Sequence, residues 1–185
     1  MKTIVKALCA VGVMFAAGAA QASNFHITQA GIQDGQRLDE TYVLQGFGCA
    51  GGNVSPAVGW QGAPAGTKSF AVTLYDPDAP TGSGWWHWVA FNIPANTTEL
   101  TKGAGDPAKG LMPAGAVQSR TDFGTLGFGG ACPPQGHGPH RYQLKVHALD
   151  VDKLPLDENA SAAMVGFYID AHSLGTAQVT GIYSR

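Results

Sequence analysis

Residues 69–93 read SFAVTLYDPDAPTGSGWWHWVAFNI, and the fold turns on how they parse. Over residues 69–75, Phe70, Val72 and Leu74 fall on one side and Ala71, Thr73 and Tyr75 on the other. That period of two marks a strand, because successive side chains of extended backbone leave opposite faces. Residues 87–93 alternate likewise, which puts His87, Val89, Phe91 and Ile93 on an inward face and Trp86, Trp88, Ala90 and Asn92 on the other. The Pro-, Gly- and Asp-rich segment between the two runs reads as a turn. Downstream, residues 140–150 repeat the pattern: His140, Tyr142, Leu144, Val146 and Ala148 point inward, and Arg141, Gln143, Lys145 and His147 take the wetter side. Half-buried alternating strands need a second layer to cover them. The expected fold class is therefore all-β, a sandwich of antiparallel sheets in one domain over residues 23–185. Shorter strands are expected at residues 25–28, 42–44 and 178–183. Residues 159–174 read as the one convincing helix, with Val165, Tyr168, Ile169 and His172 along one face and Gly175 as its stop. The Gly- and Pro-rich residues 102–115 read as a surface excursion rather than a domain boundary.

Composition fits one globular domain. The chain has 185 residues, 44% hydrophobic and 13% charged, with 11 Lys+Arg against 13 Asp+Glu. So sparse and balanced a charge excludes a disordered acidic tail and a nucleic-acid binder, which needs a basic stripe to displace counterions from phosphates. The 26 Gly follow no three-residue period, which excludes collagen and leaves them as punctuation between short strands. Residues 1–22 stand apart: Lys2 and Lys6 form a basic head, an apolar run follows from Leu8 to Ala17, and Ala20-Gln21-Ala22 offers small residues for cleavage. This is the pattern of a secretory signal peptide, with an apolar run too short to span a bilayer. A periplasmic or secreted location is the expectation, with no stable membrane anchor after leader cleavage. Cleavage removes Cys9 and leaves Cys49 and Cys132. In an exported protein such a pair is most simply a disulfide, the alternatives being two independent buried thiols or a metal pair.

Polar residues gather where the inward strands begin and end. Asp76 closes the first strand, and His87 and His140 open the other two with side chains on the core face. Single inward histidines are usually satisfied core residues, whereas two of them starting strands beside an Asp-rich turn point to the rim of a pocket. Each Asp also has a structural role open to it, since a carboxylate beside Pro can accept backbone N–H bonds and pin a turn.

Asp76-Pro-Asp78-Ala-Pro80, then Trp85-Trp-His87-Trp88, then Cys132-Pro-Pro134 with Gly136, Gly138 and His140-Arg-Tyr142, resemble the two signature stretches of the phosphatidylethanolamine-binding protein family, also called Raf kinase inhibitor-like proteins. Asn53-Val-Ser55-Pro56 ahead of Trp60, and Gly62-Ala-Pro64 with Gly66-Thr-Lys68, resemble the segment that precedes the first signature in the bacterial branch. The likeness thus spans the chain after the leader. It implies a sandwich of antiparallel sheets with peripheral helices. It also implies a small cavity built from Asp76, Asp78, Trp85, His87, Pro134, His140 and Tyr142, which binds phosphate, phosphorylated headgroups or acetate-like anions. Some relatives inhibit proteases or kinases through their surface, so modulation of a protein partner is a further implication, although residue spacing does not identify it.

These residue types suit an anion if the carboxylate supports rather than binds. Asp76 would accept from one imidazole nitrogen and leave the other N–H of that ring for the cavity. Tyr142 adds a hydroxyl donor, and Trp85 with Pro134 gives apolar walls that strengthen those bonds by excluding water. Two other uses of the same groups compete. Acid–base hydrolysis by Asp76, His87 and His140 lacks a nucleophile, because paired cysteines are not free and no Gly-x-Ser-x-Gly elbow occurs. A two-histidine, one-carboxylate metal site lacks the helical spacing of motifs such as HExxH. A binding protein without catalytic residues, cofactor or metal is the expectation, with His137 read as an exposed loop residue.

Overall fold

The computed structural model describes residues 24–185, so the expected leader lies outside the described residues. In chain order the strands are β1 (His26–Ala30), β2 (Gln45–Gly46), β3 (Cys49–Ala50), β4 (Val58–Gln61), β5 (Ser69–Asp76), β6 (Trp85–Pro94), β7 (Glu99–Leu100), β8 (Val117–Gln118), β9 (His140–Leu149) and β10 (Ser173–Tyr183). One α-helix among the described residues, α1 (Ala162–His172), precedes the last strand. The strands form a five-stranded sheet in the order β10-β9-β5-β6-β8, a three-stranded sheet β1-β4-β7 and the hairpin β2-β3, with antiparallel pairing throughout.

The large sheet is the middle of three layers. On one face Phe70, Val72, Leu74, Leu144 and Val146 pack with Val58 and Trp60 of the small sheet. On the other, Ala71, Val89 and Phe91 pack with Val165 and Ile169 of α1. Each fully buried aliphatic or aromatic side chain contributes roughly 1.5–3 kcal/mol. The all-β sandwich read from the alternating strands is the architecture observed, and β5 and β9 keep the expected faces.

β6 does not. Leu74 pairs with Trp88 and Tyr75 with Trp86, so His87 is an extra residue opposite β5. Farther along, Phe70 pairs with Ile93 and Val72 with Ala90, which inserts a second extra residue. Each bulge shifts side-chain parity by one. Val89 and Phe91 therefore face α1, Trp88, Ala90 and Ile93 face the small sheet, and His87 joins the latter side against the Tyr142 ring. The expectation that His87, Val89, Phe91 and Ile93 share a face is overturned, although His87 does point inward.

Other boundaries moved for local reasons. The helix starts at Ala162, with the Ser161 side chain accepting from the Met164 N–H at 3.2 Å, an N-cap bond. It ends at His172, not at Gly175, because Ser173 pairs at once with Leu149. Residues 42–44 are not a strand: Glu40–Tyr42 is a 3-10 turn and Val43 makes a single bridge to Ala131. Within residues 102–115 the surface path holds except at Gly103, Ala104 and Gly105, which are buried.

β10 lies at the margin of the large sheet, and residues 34–38 run along its outer side. The Gly35 N–H donates to the Thr180 carbonyl, Ile182 to Gln36 and Leu38 to Ile182, each at 2.8 Å. The Thr180 N–H donates to Asp34 Oδ1 at 2.8 Å.

Candidate functional site

β5 finishes at one end of the large sheet where β6 and β9 begin, and antiparallel pairing brings Asp76 beside Trp85 and within reach of His140, 64 residues on. A cavity of about 350 Å³ opens there. Asp76, Trp85, His87, Pro134, His140 and Tyr142 all line it. Asp78 is placed outside the lining. Its carboxylate takes the Arg141 guanidinium at 2.9 and 2.8 Å and the Arg141 backbone N–H at 2.8 Å. The Arg141 side chain holds the Asp78 carboxyl down at about 2. Asp78 in turn donates its backbone N–H to Asp76 Oδ1 at 2.8 Å, so the ion pair fixes the turn and the turn aims Asp76.

The other Asp76 oxygen, Oδ2, meets His140 Nδ1 at 2.7 Å, with both groups almost fully buried. A carboxylate can only accept, so Nδ1 carries the proton. The second ring nitrogen, Nε2, does not reach open cavity as expected: the Nδ1 of His137 stands 2.8 Å from it. The exposed loop histidine thus caps the buried one and completes a carboxylate–imidazole–imidazole chain. With both nitrogens engaged, His140 has no lone pair for a metal unless His137 moves. Nor does a nucleophile stand next to this chain: the Thr81 hydroxyl in the lining donates to the Gly84 carbonyl, and Cys132 is bonded to Cys49.

His87 is oriented by a carbonyl instead. Its Nδ1 donates to the Gly129 carbonyl at 2.8 Å, and burial pushes its pKa down. The ring stays neutral, so Nε2 offers the cavity a lone pair. Gly130 makes this carbonyl available: a Cβ there would stand 2.5 Å from backbone atoms of Tyr42, Val43 and Leu44, so only glycine lets the chain pass. The donors are elsewhere. The Tyr142 hydroxyl and the Trp85 indole Nε1 are both buried and close no hydrogen bond within 3.5 Å; burial first, and then the nearby Asp76 carboxylate, hold the Tyr142 phenol protonated.

Several lining residues had no sequence signal. Phe123 makes edge contacts with Trp85 and His87, at 5.3 and 5.4 Å between ring centroids. Phe47, 76% exposed at the tip of the β2–β3 hairpin, packs on Phe123 at 5.8 Å. The Cys49–Cys132 disulfide joins that hairpin to the Pro133-Pro134 rim across 83 residues, as the simplest reading of the cysteine pair expected. Arg185, at the far end of the chain from the signatures, completes the wall.

This β-sandwich, with its Asp–His cavity at the sheet end, defines a class, and the comparisons agree with it. The family model of phosphatidylethanolamine-binding proteins matches residues 28–184, and the chain belongs to that family. It is similar to the UPF0098 protein YbcL of Escherichia coli K12, with 51% identity over 183 residues that cover 99% of this chain and 98% of the relative. The crystal structure of E. coli YbcL superposes with a TM-score of 0.85 at 54% identity, covering 87% of this chain and 98% of that one. A family homologue from Chlamydia trachomatis, CT736, superposes at 0.72 with 26% identity, covering 89% and 99% of the two chains.

Proposed function

We propose that this chain is an exported binding protein for a small oxyanion, phosphate or carboxylate, and that any protein partner is engaged through such a group presented to the cavity. One observation carries the reading: the Tyr142 hydroxyl is fully buried on the cavity wall and closes no hydrogen bond within 3.5 Å, the Asp76 carboxylate lying nearby but beyond that distance. An unmet buried donor costs about 1–3 kcal/mol, and an oxyanion in the cavity offers an acceptor at full hydrogen-bond distance. The Trp85 Nε1 repeats the argument from a second wall. The lone pair on neutral His87 adds selectivity for an oxyanion that keeps a hydroxyl, as phosphate does at neutral pH. Export is supported by the leader pattern and the disulfide, and among the described residues no helix is long and apolar enough to cross a membrane.

A titration with inorganic phosphate, followed through the histidine ring resonances, tests the reading. Resonances of His87 and His140 should move together, and Tyr142→Phe should weaken binding about tenfold or more. Silence of both rings in the unaltered protein would overturn the proposal. Vesicles containing phosphatidylethanolamine, run in parallel, separate a lipid headgroup from the free anion as the source of the phosphate.

A further inference from the structure

We infer that Arg185 supplies the fixed positive charge that recognises the anion, an assignment that rests on the binding reading above. The residue is held, not merely near. Its carbonyl accepts the Gly136 N–H at 2.9 Å, which pins the backbone beyond β10 to the rim loop. Its guanidinium then donates from Nε to the Pro133 carbonyl at 2.5 Å, from Nη1 to Gly48 at 3.0 Å and from Nη2 to Phe47 at 3.4 Å. These carbonyls belong to the two segments that the disulfide joins, so one side chain spans both sides of the mouth.

Carbonyls orient a guanidinium without cancelling its charge. Arg185 forms no ion pair with an acid among the described residues. Of the other charged groups at the site, Arg141 is paired with Asp78, whereas Asp76 accepts the His140 N–H and keeps its negative charge in the lining. Arg185 is thus the one Lys or Arg side chain in the lining, and no acid among the described residues pairs with it. A guanidinium has five N–H groups, three of which are taken, and the planar fork suits two oxygens of a carboxylate or phosphate. Arg185 is exposed at the mouth, in the same lining as the apolar Phe47, Trp85 and Phe123, so its charge acts from the rim and salt screens it. The ligand class that follows is a small oxyanion carrying net negative charge, with rejection of a neutral molecule of the same shape.

Acetate and acetamide form the discriminating pair, being alike in shape and different in charge. By histidine NMR the unaltered protein should bind acetate and not acetamide, with acetate weakening as salt is raised. Arg185→Gln should weaken acetate about ten- to a hundredfold, the usual range for a charge-assisted bond, and flatten the salt dependence. Arg185→Lys, which keeps the charge but not the fork, should retain the salt dependence with intermediate affinity. If acetate binds the unaltered protein with no response to salt, or equally well after Arg185→Gln, the assignment to Arg185 is wrong and the cavity reading survives. If neither acetate nor phosphate binds the unaltered protein, the cavity reading itself has failed. Were Arg185→Gln only to loosen the rim, Arg185→Lys would lose the salt dependence with it.

Discussion

His147 shows what burial does to one titratable side chain away from the cavity. It lies on the α1 side of the large sheet, with Nε2 3.2 Å from the Thr73 hydroxyl and Nδ1 3.1 Å from that of Thr176. Burial pushes its pKa down from 6.5 to about 4. A histidine whose folded pKa is depressed binds its proton more readily when unfolded, so stability is steady above about 6.5 and falls as pH drops toward 4. His87, also kept neutral by burial, acts with the same sign. Asp78 works in a lower window: its depressed carboxyl stabilises the fold above 3.8, and that contribution disappears as pH falls through about 2. The melting temperature should therefore decline between pH 6.5 and 4, and His147→Gln should flatten part of that decline. An unchanged slope in the variant would assign the effect to other groups. Asp76, His87 and His140 could be picked out beforehand because motif order and strand ends mark them. Arg185, Phe123 and the His137 cap could not, since each reaches the cavity only through the path of a loop or a chain end.

At the scale of elements, the two bulges of β6 decide which residues face the cavity and the small sheet and which meet the helix. Asn92 holds the second one at φ 56°, a left-handed conformation that Asn tolerates better than most residues. Its side chain accepts from the Leu154 N–H at 2.8 Å and donates to the Leu154 carbonyl at 3.4 Å. Asn92→Ala removes both bonds and strands a buried N–H, with an expected loss of about 2–4 kcal/mol by urea denaturation. A loss below about 1 kcal/mol would mean that the bulge is held by packing alone. Alternation located β5 and β9 and their faces correctly because those strands are regular over their length. It failed in β6 because one inserted residue reverses every face beyond it, and only Asn92 hints at where. The pairs β2, β3, β7 and β8 are two residues each, too short to carry a period, and exist through their partners.

For the molecule as a whole, the disulfide closes the longest covalent loop, 83 residues that include the small-sheet strand β4 and the whole of β5 and β6. Replacing both cysteines, Cys49→Ala with Cys132→Ala, frees that loop in the unfolded chain and should cost about 4–5 kcal/mol by chain entropy, less where the unfolded chain keeps structure. Denaturation of the paired variant measures it, and a change under 1 kcal/mol would leave the bridge with a local role at the mouth. The overall sandwich was legible because its layers follow from strand periodicity, whereas the cavity's outer wall was not, being assembled from a hairpin tip, a rim loop and a terminal strand. The docking of residues 34–38 along β10 carries a last consequence, for birth rather than function. Asp34 and Thr180 are 146 residues apart, so the early segment leaves the ribosome long before the strand it covers exists. Until it docks, the newborn margin is an open template to which a neighbouring chain can add its own backbone. Self-recognition here must outrun aggregation, and the final clasp of the molecule is also its safeguard against polymerising.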